Sequence, residues 1–336
     1  MPLRPPRIVP FAPEHLDDAA RLLAARQARM IALEPDLPRR FADPPAARPL
    51  LERALAGDGA HGLVAIDANG LAGYLVGHPR IDVPWGRAAW ADLAGHAVNP
   101  ASVDLARDLY HGWAEHWAAR GIVDHYVHVP EAEAESLATW FDLGFGRMQA
   151  YALRSVDTAD LPPAPPGLTI RRAGPEDLDG AEMLGRLLPE HQMASPTFAW
   201  TAPQRLEGYR AAYAAELGDP GAFFWIALDE TDGRTLGLAG FYVAEPSLAV
   251  PDGAWELSVA ATAPDARERG LATALLRTGL DAARAAGATS CICDWRTANL
   301  LAARTWRRLG FRVTHARLHR RIDERVVAAL GGPAEA

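Results

Sequence analysis

TAPDARERGLATALL, Thr262–Leu276, is the stretch on which the fold turns. Before it stands WELSVAAT, Trp255–Thr262, which alternates like a strand. Pro264 breaks that strand, and the Ala- and Leu-rich run Gly270–Ala286 reads as a helix stopped by Gly287. The first turn of a helix leaves amide N–H groups without internal partners, and these favour an anion. Gly270 and the small Ala272 let phosphate oxygens approach the backbone, while Arg267 and Arg269 offer charge-assisted donors. The string lacks both the Gly-Lys-Ser/Thr ending of nucleoside triphosphatase loops and a full G-x-G-x-x-G. A pyrophosphate on another carrier fits better.

The surrounding elements follow outward from this turn. Downstream come a strand at Thr289–Asp294, a helix at Asn299–Leu309 and a strand at Phe311–Ile322. Upstream lie a strand at Leu168–Arg172, helices at Pro175–Leu188 and Ala202–Leu217, and a hairpin. That hairpin joins Phe223–Asp229 to Thr235–Ala244 through Asp232-Gly233. The first half repeats the order, with a helix at Val103–Arg120 that sets Leu105, Leu109, Trp113 and Trp117 on one face.

RIVPFAPEHLDDA, Arg7–Ala19, aligns with TIRRAGPEDLDGA, Thr169–Ala181. LAGYLV, Leu71–Val76, aligns with LAGFYV, Leu238–Val243, and SLATWFDLGF, Ser136–Phe145, with AARTWRRLGF, Ala302–Phe311. Colinear matches of this kind indicate duplication. Between the halves, Ser155–Gly167 carries Pro162, Pro163, Pro165 and Pro166, whose rings fix φ and remove donors. The expected partition is therefore a domain at 1–154, a proline-rich linker at 155–167, a second domain at 168–322 and a tail at 323–336. The expected class is α/β (α+β): two tandem domains, each a mixed, mostly antiparallel sheet flanked by helices, with a parallel crossover late in each.

A chain of 336 residues accommodates two such domains. Its 42 acidic against 34 basic residues give a net charge of −8, which offers no support for a nucleic-acid partner. No apolar run is long enough for a membrane span, and Met1–Pro10 lacks the apolar core of a secretion signal. A soluble cytoplasmic protein without a membrane partner is the expectation. Cys291 and Cys293 share one strand face and suit packing better than a disulfide scaffold, a zinc set or a nucleophile, so no metal is expected.

Thr262-x-Pro264-x-x-Arg267-x-x-Gly270-x-Ala272 resembles the acyl-CoA pyrophosphate loop of the GCN5-related N-acetyltransferase superfamily. Asn299-x-x-Ala302 followed by Trp306-x-x-x-Gly310-Phe311 resembles its late motif, an asparagine-headed helix ending in Gly-Phe. The resemblance implies a sheet that splays beyond Trp255–Thr262, with the pantetheine arm of acetyl-CoA held by backbone groups of Val259, Ala260, Ala261 and Thr262. It assigns the pyrophosphate to Arg267 and the Arg269, Gly270, Leu271, Ala272 and Thr273 amides, and Asn299 to the pantetheine side. It further implies N-acetyl transfer from acetyl-CoA to a small-molecule or peptide amine. The tandem arrangement is similar, in architecture alone, to that of the mycothiol synthases, and implies a monomer with pseudo-dimeric domains. A non-catalytic acyl-CoA-binding or sensing protein is the alternative.

Direct transfer requires positioning and a group to take the ammonium proton. Glu256 is the leading base, since alternation sets it with Ser258 opposite Trp255, Leu257 and Val259. Asp294 is the second candidate. His191, Phe198 and Trp200, around HQMASPTFAWTAP, are candidates for the acceptor pocket. Tyr242 joins them and, like Thr305, offers a hydroxyl for thiolate protonation. Such a hydroxyl matters because Trp306 occupies the position at which the resembled motif carries a tyrosine. Packing is the alternative role for Trp306. In the first half, Ala101, Asp104 and Ala106 stand opposite Arg267, Gly270 and Ala272, and Glu133 opposite Asn299. That half keeps Trp140, Gly144 and Phe145 but loses the ligand chemistry, so one cofactor site is expected, in the second half.

Overall fold

The computed structural model describes residues 6–82 and 85–329. The chain packs as two compact units, Met1–Gln149 with Thr314–Ala336, and Ala150–Val313. The first unit begins with β1 (Arg7–Pro10), α1 (Leu16–Leu33), α2 (Pro44–Ala56), β2 (His61–Asp67) and β3 (Gly70–Asp82). It continues through β4 (Gly86–Ala91), β5 (His96–Val98), α3 (Leu105–Ala118), β6 (Asp124–Pro130) and α4 (Ala134–Asp142). Strand β7 (Gly146–Ser155) carries the chain into the second unit. There follow β8 (Leu168–Arg172), α5 (Leu178–Met193), α6 (Pro203–Glu207), α7 (Tyr209–Gly218), β9 (Phe223–Asp229) and β10 (Thr235–Val243). Then come β11 (Trp255–Thr262), α8 (Leu271–Ala285), β12 (Ser290–Arg296) and α9 (Leu300–Arg308). Strand β13 (Arg312–Arg321) and α10 (Glu324–Ala329) return to the first unit.

Each unit is a mixed sheet flanked by helices, mostly antiparallel. In the first, the order is β1-β2-β3-β4-β6-β13, with β5 also on β3. The pair β4–β6 is parallel, and α3 makes its crossover. Leu105, Leu109, Trp113 and Trp117 are buried along that helix, as their spacing requires. In the second unit the order is β8-β9-β10-β11-β12-β7. Here β11 and β12 are the parallel pair, joined by α8. Gly233 adopts φ +71 in the β9–β10 turn, a left-handed conformation that explains the Asp-Gly signal.

The units are not the two sequence halves. The strand expected at Phe311–Ile322 pairs from His315↔Pro130 to Arg321↔Asp124 with β6, so from Thr314 onward it belongs to the first unit. Ala150–Ser155 lies in the second unit instead, with Ala150 and Ala152 in its core. Periodicity marks the buried face of a strand, here Ala316 and Leu318, but not the sheet that receives it. The proline-rich linker is likewise part of the second unit, where Val156 and Leu161 are buried. The expected tail at 323–336 begins with α10, whose Val327 packs against Ala118 and Val123; residues 330–336 lie outside the described residues. Helix α5 runs through Pro189 to Met193 rather than ending at Leu188; Pro189 lies inside the helix and removes one intrahelical donor there. The helix expected at Ala202–Leu217 is interrupted at Gly208.

Candidate active site

Strand β11 pairs with β10 along its full length, from Val243↔Trp255 to Gly237↔Thr262. With β12 it pairs only at Trp255↔Cys291, Glu256↔Ile292 and Leu257↔Cys293. Beyond Leu257 the two parallel strands part, leaving the β12-facing edge of Ser258–Thr262 without a ladder among the described residues. The register moves from Phe241↔Leu257 to Gly240↔Val259, which makes Ser258 the extra residue of a bulge. This corrects the simple alternation: Val259 shares the face of Glu256, not that of Trp255 and Leu257. A Cβ on Gly240 would stand 2.8 Å from Val259 Cγ1, so the close crossing requires glycine.

The two faces have different fillings. Helix α8 covers the face of Phe241 and Leu257, where a Cβ on Gly279 would collide with the Phe241 ring at 2.2 Å. On the other face, Tyr242 lies opposite Glu256. Asp294, two residues beyond Ile292 on β12, shares that face. Glu256 is half-buried; burial, then the charge of Asp294, raises its carboxyl above the ordinary value. The two catalytic candidates are therefore neighbours. Tyr242 is hydrogen-bonded to Glu216 of α7, and burial followed by that carboxylate's charge raises its hydroxyl pKa. Burial raises Glu216 as well. Sequence reading missed Glu216, although it is the lone carboxylate of YRAAYAAELG and so marks a polar spot on an apolar helix.

At the far end of β11 the chain turns through Pro264–Ala266, and Gly270 takes φ +80 before α8 begins. The first helical bond there runs from Ala274 N–H to Gly270 O at 3.0 Å, so the amides of Leu271, Ala272 and Thr273 precede it. Leu271 and Thr273 bury their side chains and present only backbone. Arg269 Nη2 is 3.7 Å from Asp229, and Arg234 binds Asp265 at 2.7 Å, so the turn is tied to the β9–β10 hairpin. Arg267 is exposed and has no ion pair among the described residues.

Asn299 is buried, and its Oδ1 caps α9 by accepting from Ala302 N–H at 3.1 Å. His191 Nε2 meets the same oxygen at 3.2 Å. The ring nitrogen of His191 thus turns toward Asn299, and only Nδ2 of Asn299 is left for a ligand. Phe198 and Trp200 are 73% and 62% exposed on the segment after α5. Trp306 packs edge-on against Phe311, with centroids 6.0 Å apart, which is the packing role. Both thiols are buried, and burial raises Cys291 to about 12 and Cys293 well above its ordinary value, so they suit packing better than nucleophilic attack.

The first unit fills the corresponding place differently. His96 pairs with Leu75 of LAGYLV as Glu256 pairs with Tyr242 of LAGFYV, and His128 holds the place in β6 that Asp294 holds in β12. His96 Nε2 donates to His128 O at 2.7 Å, bridging β5 to β6. The buried Arg26 guanidinium donates to the carbonyls of His96 and Leu93. Asp104 has φ −61 where Gly270 is left-handed, and an Arg29–Glu133 ion pair at 2.9 Å replaces His191–Asn299.

Residues 188–311 match the profile of the Acetyltransferase (GNAT) family. No curated protein matches the sequence significantly. Among solved structures, a GCN5-related N-acetyltransferase from Sphaerobacter thermophilus is similar with a TM-score of 0.57 and 18% identity, over 95% of this chain and 96% of that one. A tandem GNAT protein from the clavulanic acid biosynthesis pathway gives 0.50 and 15%, over 98% and 100%. The glucosamine N-acetyltransferase region of a fungal multi-domain GH3 β-N-acetylglucosaminidase gives 0.55 and 13%, over 95% of this chain and 38% of that one. The chain has the GNAT-superfamily acetyltransferase fold. Among the described residues no helix is long and apolar enough to cross a membrane.

Proposed function

We propose that the protein is an acyl-CoA-dependent N-acetyltransferase whose single cofactor site lies in the second unit. The observation that carries this reading is the parting of β11 and β12 beside the open amides of α8. A linear, hydrogen-bonding arm suits an unladdered strand edge, and a pyrophosphate suits a helix start entered through a left-handed glycine. Backbone groups of Val259–Thr262 would hold the pantetheine arm, with Asn299 Nδ2 on the same side. The amides of Gly270–Thr273 and the unpaired Arg267 would hold the pyrophosphate.

Bound acetyl-CoA would supply an activated thioester carbonyl. Glu256 takes the proton of the acceptor ammonium, and its raised proton affinity brings it nearer the working pH of a general base. Asp294 contributes negative charge beside it, which favours an amine that arrives cationic. Tyr242 already donates to Glu216 and Trp306 packs against Phe311, so the second proton, which the nitrogen loses as the amide forms, passes through water to the departing thiolate. The acceptor is a small-molecule or peptide amine, and the protein works as a cytoplasmic monomer without nucleic-acid or membrane partners.

Trp306, at the tyrosine position of the resembled motif, favours a second reading as an acyl-CoA-binding or sensing protein. Thiol release from acetyl-CoA across a panel of amines separates the two. Amine-dependent release supports the enzyme; CoA binding with no release for any amine supports the sensor.

A further inference from the structure

The proline-rich segment follows α8 in order, from the end of that helix to its beginning. Val156 N–H donates to Thr289 O at 3.1 Å, beyond the helix C-terminus. Thr158 Oγ1 then bonds Asp281 Oδ1 at 2.9 Å. Arg277 Nη1 donates to the carbonyls of Thr158 and Leu161. Finally Pro165 Cγ lies 3.1 Å from where a Cβ on Gly270 would stand. Gly270, Arg277 and Asp281 form one stripe at i, i+7 and i+11, so the segment is a strap antiparallel to α8. Both ends are fastened. The buried Arg154 guanidinium binds the carbonyls of Ser155, Asp157 and Leu309 and the carboxylate of Asp160. Gly167 O accepts from Glu230 N–H at 3.1 Å.

We propose that this strap positions the nucleotide end of the acyl-CoA site, with Pro165 setting the Gly270 turn and Arg277 fastening the strap to the helix. The proposal rests on the acyl-CoA reading given above. A glycine samples left- and right-handed φ almost equally, so the turn alone would hold its amides loosely. A proline ring lying 3.1 Å from where a Gly270 Cβ would stand restricts that freedom before any ligand arrives. The gain is preorganisation: less ordering remains when a pyrophosphate binds. A loosened strap therefore penalises ligands that reach the helix start and spares those that end at the pantetheine arm.

The test uses the full chain with Pro165→Gly, which removes the ring and frees the strap, and Arg277→Met, which keeps the stem but loses both carbonyl bonds. Arg277→Lys is the conservative partner. Each variant's far-UV spectrum and melting midpoint establish that it is folded. Titrated with CoA, Pro165→Gly and Arg277→Met should bind about 5- to 10-fold more weakly, and Arg277→Lys should recover most of the loss. In turnover, the KM for acetyl-CoA should rise by the same factor with kcat unchanged, while kcat/KM for acetyl-pantetheine stays at the wild-type value. Unaltered CoA affinity in folded variants, or equal losses with acetyl-CoA and acetyl-pantetheine, would overturn the strap's role. A wild-type protein that binds no CoA would be a different result, overturning the acyl-CoA reading itself.

Discussion

The two units share a strand order and differ in what occupies the space beside the parallel pair. In the second, β11 and β12 separate after Leu257 and present Glu256 and Asp294 on one face. In the first, His96 reaches from β5 to His128 O, and Arg26 takes up the neighbouring carbonyls. The apolar stripe of α3 remains buried, so the scaffold has been kept while the opening has been closed by the chain's own side chains. The difference teaches that core and site are specified by separate residues: fold likeness covers both units, while the proposed chemistry belongs to one.

The sharpest way to break the comparison is Glu256→Gln. Turnover at neutral pH should fall ~10²-fold with CoA affinity nearly constant, and the loss should shrink at higher pH as more acceptor arrives neutral. A pH–rate profile beside CoA titrations checks both. Near-normal turnover at neutral pH would dismiss Glu256 as an essential base and leave Asp294 or a route without an enzymic base. The same substitution should raise the melting midpoint at neutral pH. Because the folded pKa of Glu256 is raised, the folded state holds that proton more tightly, and the ionised carboxylate costs stability as pH rises through the window above its ordinary value. Glutamine carries no such cost.

Smaller, but more specific to the cofactor, is the contrast between Gly270→Val and Asp104→Val. Valine at Gly270 meets both a left-handed φ of +80 and Pro165 at 3.1 Å, and CoA affinity should fall ~10-fold or more. Asp104, at φ −61, accepts valine without that strain, and its substitution should leave CoA affinity unchanged. Calorimetry on the pair measures the asymmetry directly; equal effects would remove it.

The smallest effect separates the units by pH. Every histidine except His191 falls in the first unit. Burial lowers His96 and His315 to about 3 and His125 to about 4, with Arg26 adding to the effect at His96 and His315 and Arg317 at His315. The unfolded chain takes up these protons from pH ~6.5 downward while the folded unit does not, so stability is lost as pH falls through that window. Between pH 7 and pH 6 each such histidine costs roughly 0.7 kcal/mol. Hydrogen exchange, corrected for intrinsic rates, should show α3 and β6 losing protection before α8 and β12. Simultaneous loss would contradict it.

Much of this was legible in the sequence because it rests on local rules. The Asp232-Gly233 hairpin, the Gly287 stop and the Gly270 turn each follow from backbone conformations that few residues adopt. The adjacency of Glu256 and Asp294 followed from strand order. What escaped was non-local. The bulge at Ser258 shifts Val259 to the other face without altering composition, and the receiving sheet of β13 is a matter of pairing rather than periodicity. The prolines of 155–167 suggested a linker, whereas Arg154, Arg277 and the exposed Gly270 make that segment part of the second unit.

The measurement that bears most directly on a single working cleft is the stoichiometry of CoA binding. Titration calorimetry of the full chain should give one site per chain, and Gly270→Val should weaken that same site while the protein remains folded. Two equivalent tight sites, or one site indifferent to Gly270→Val, would contradict the assignment of acyl-CoA to the second unit.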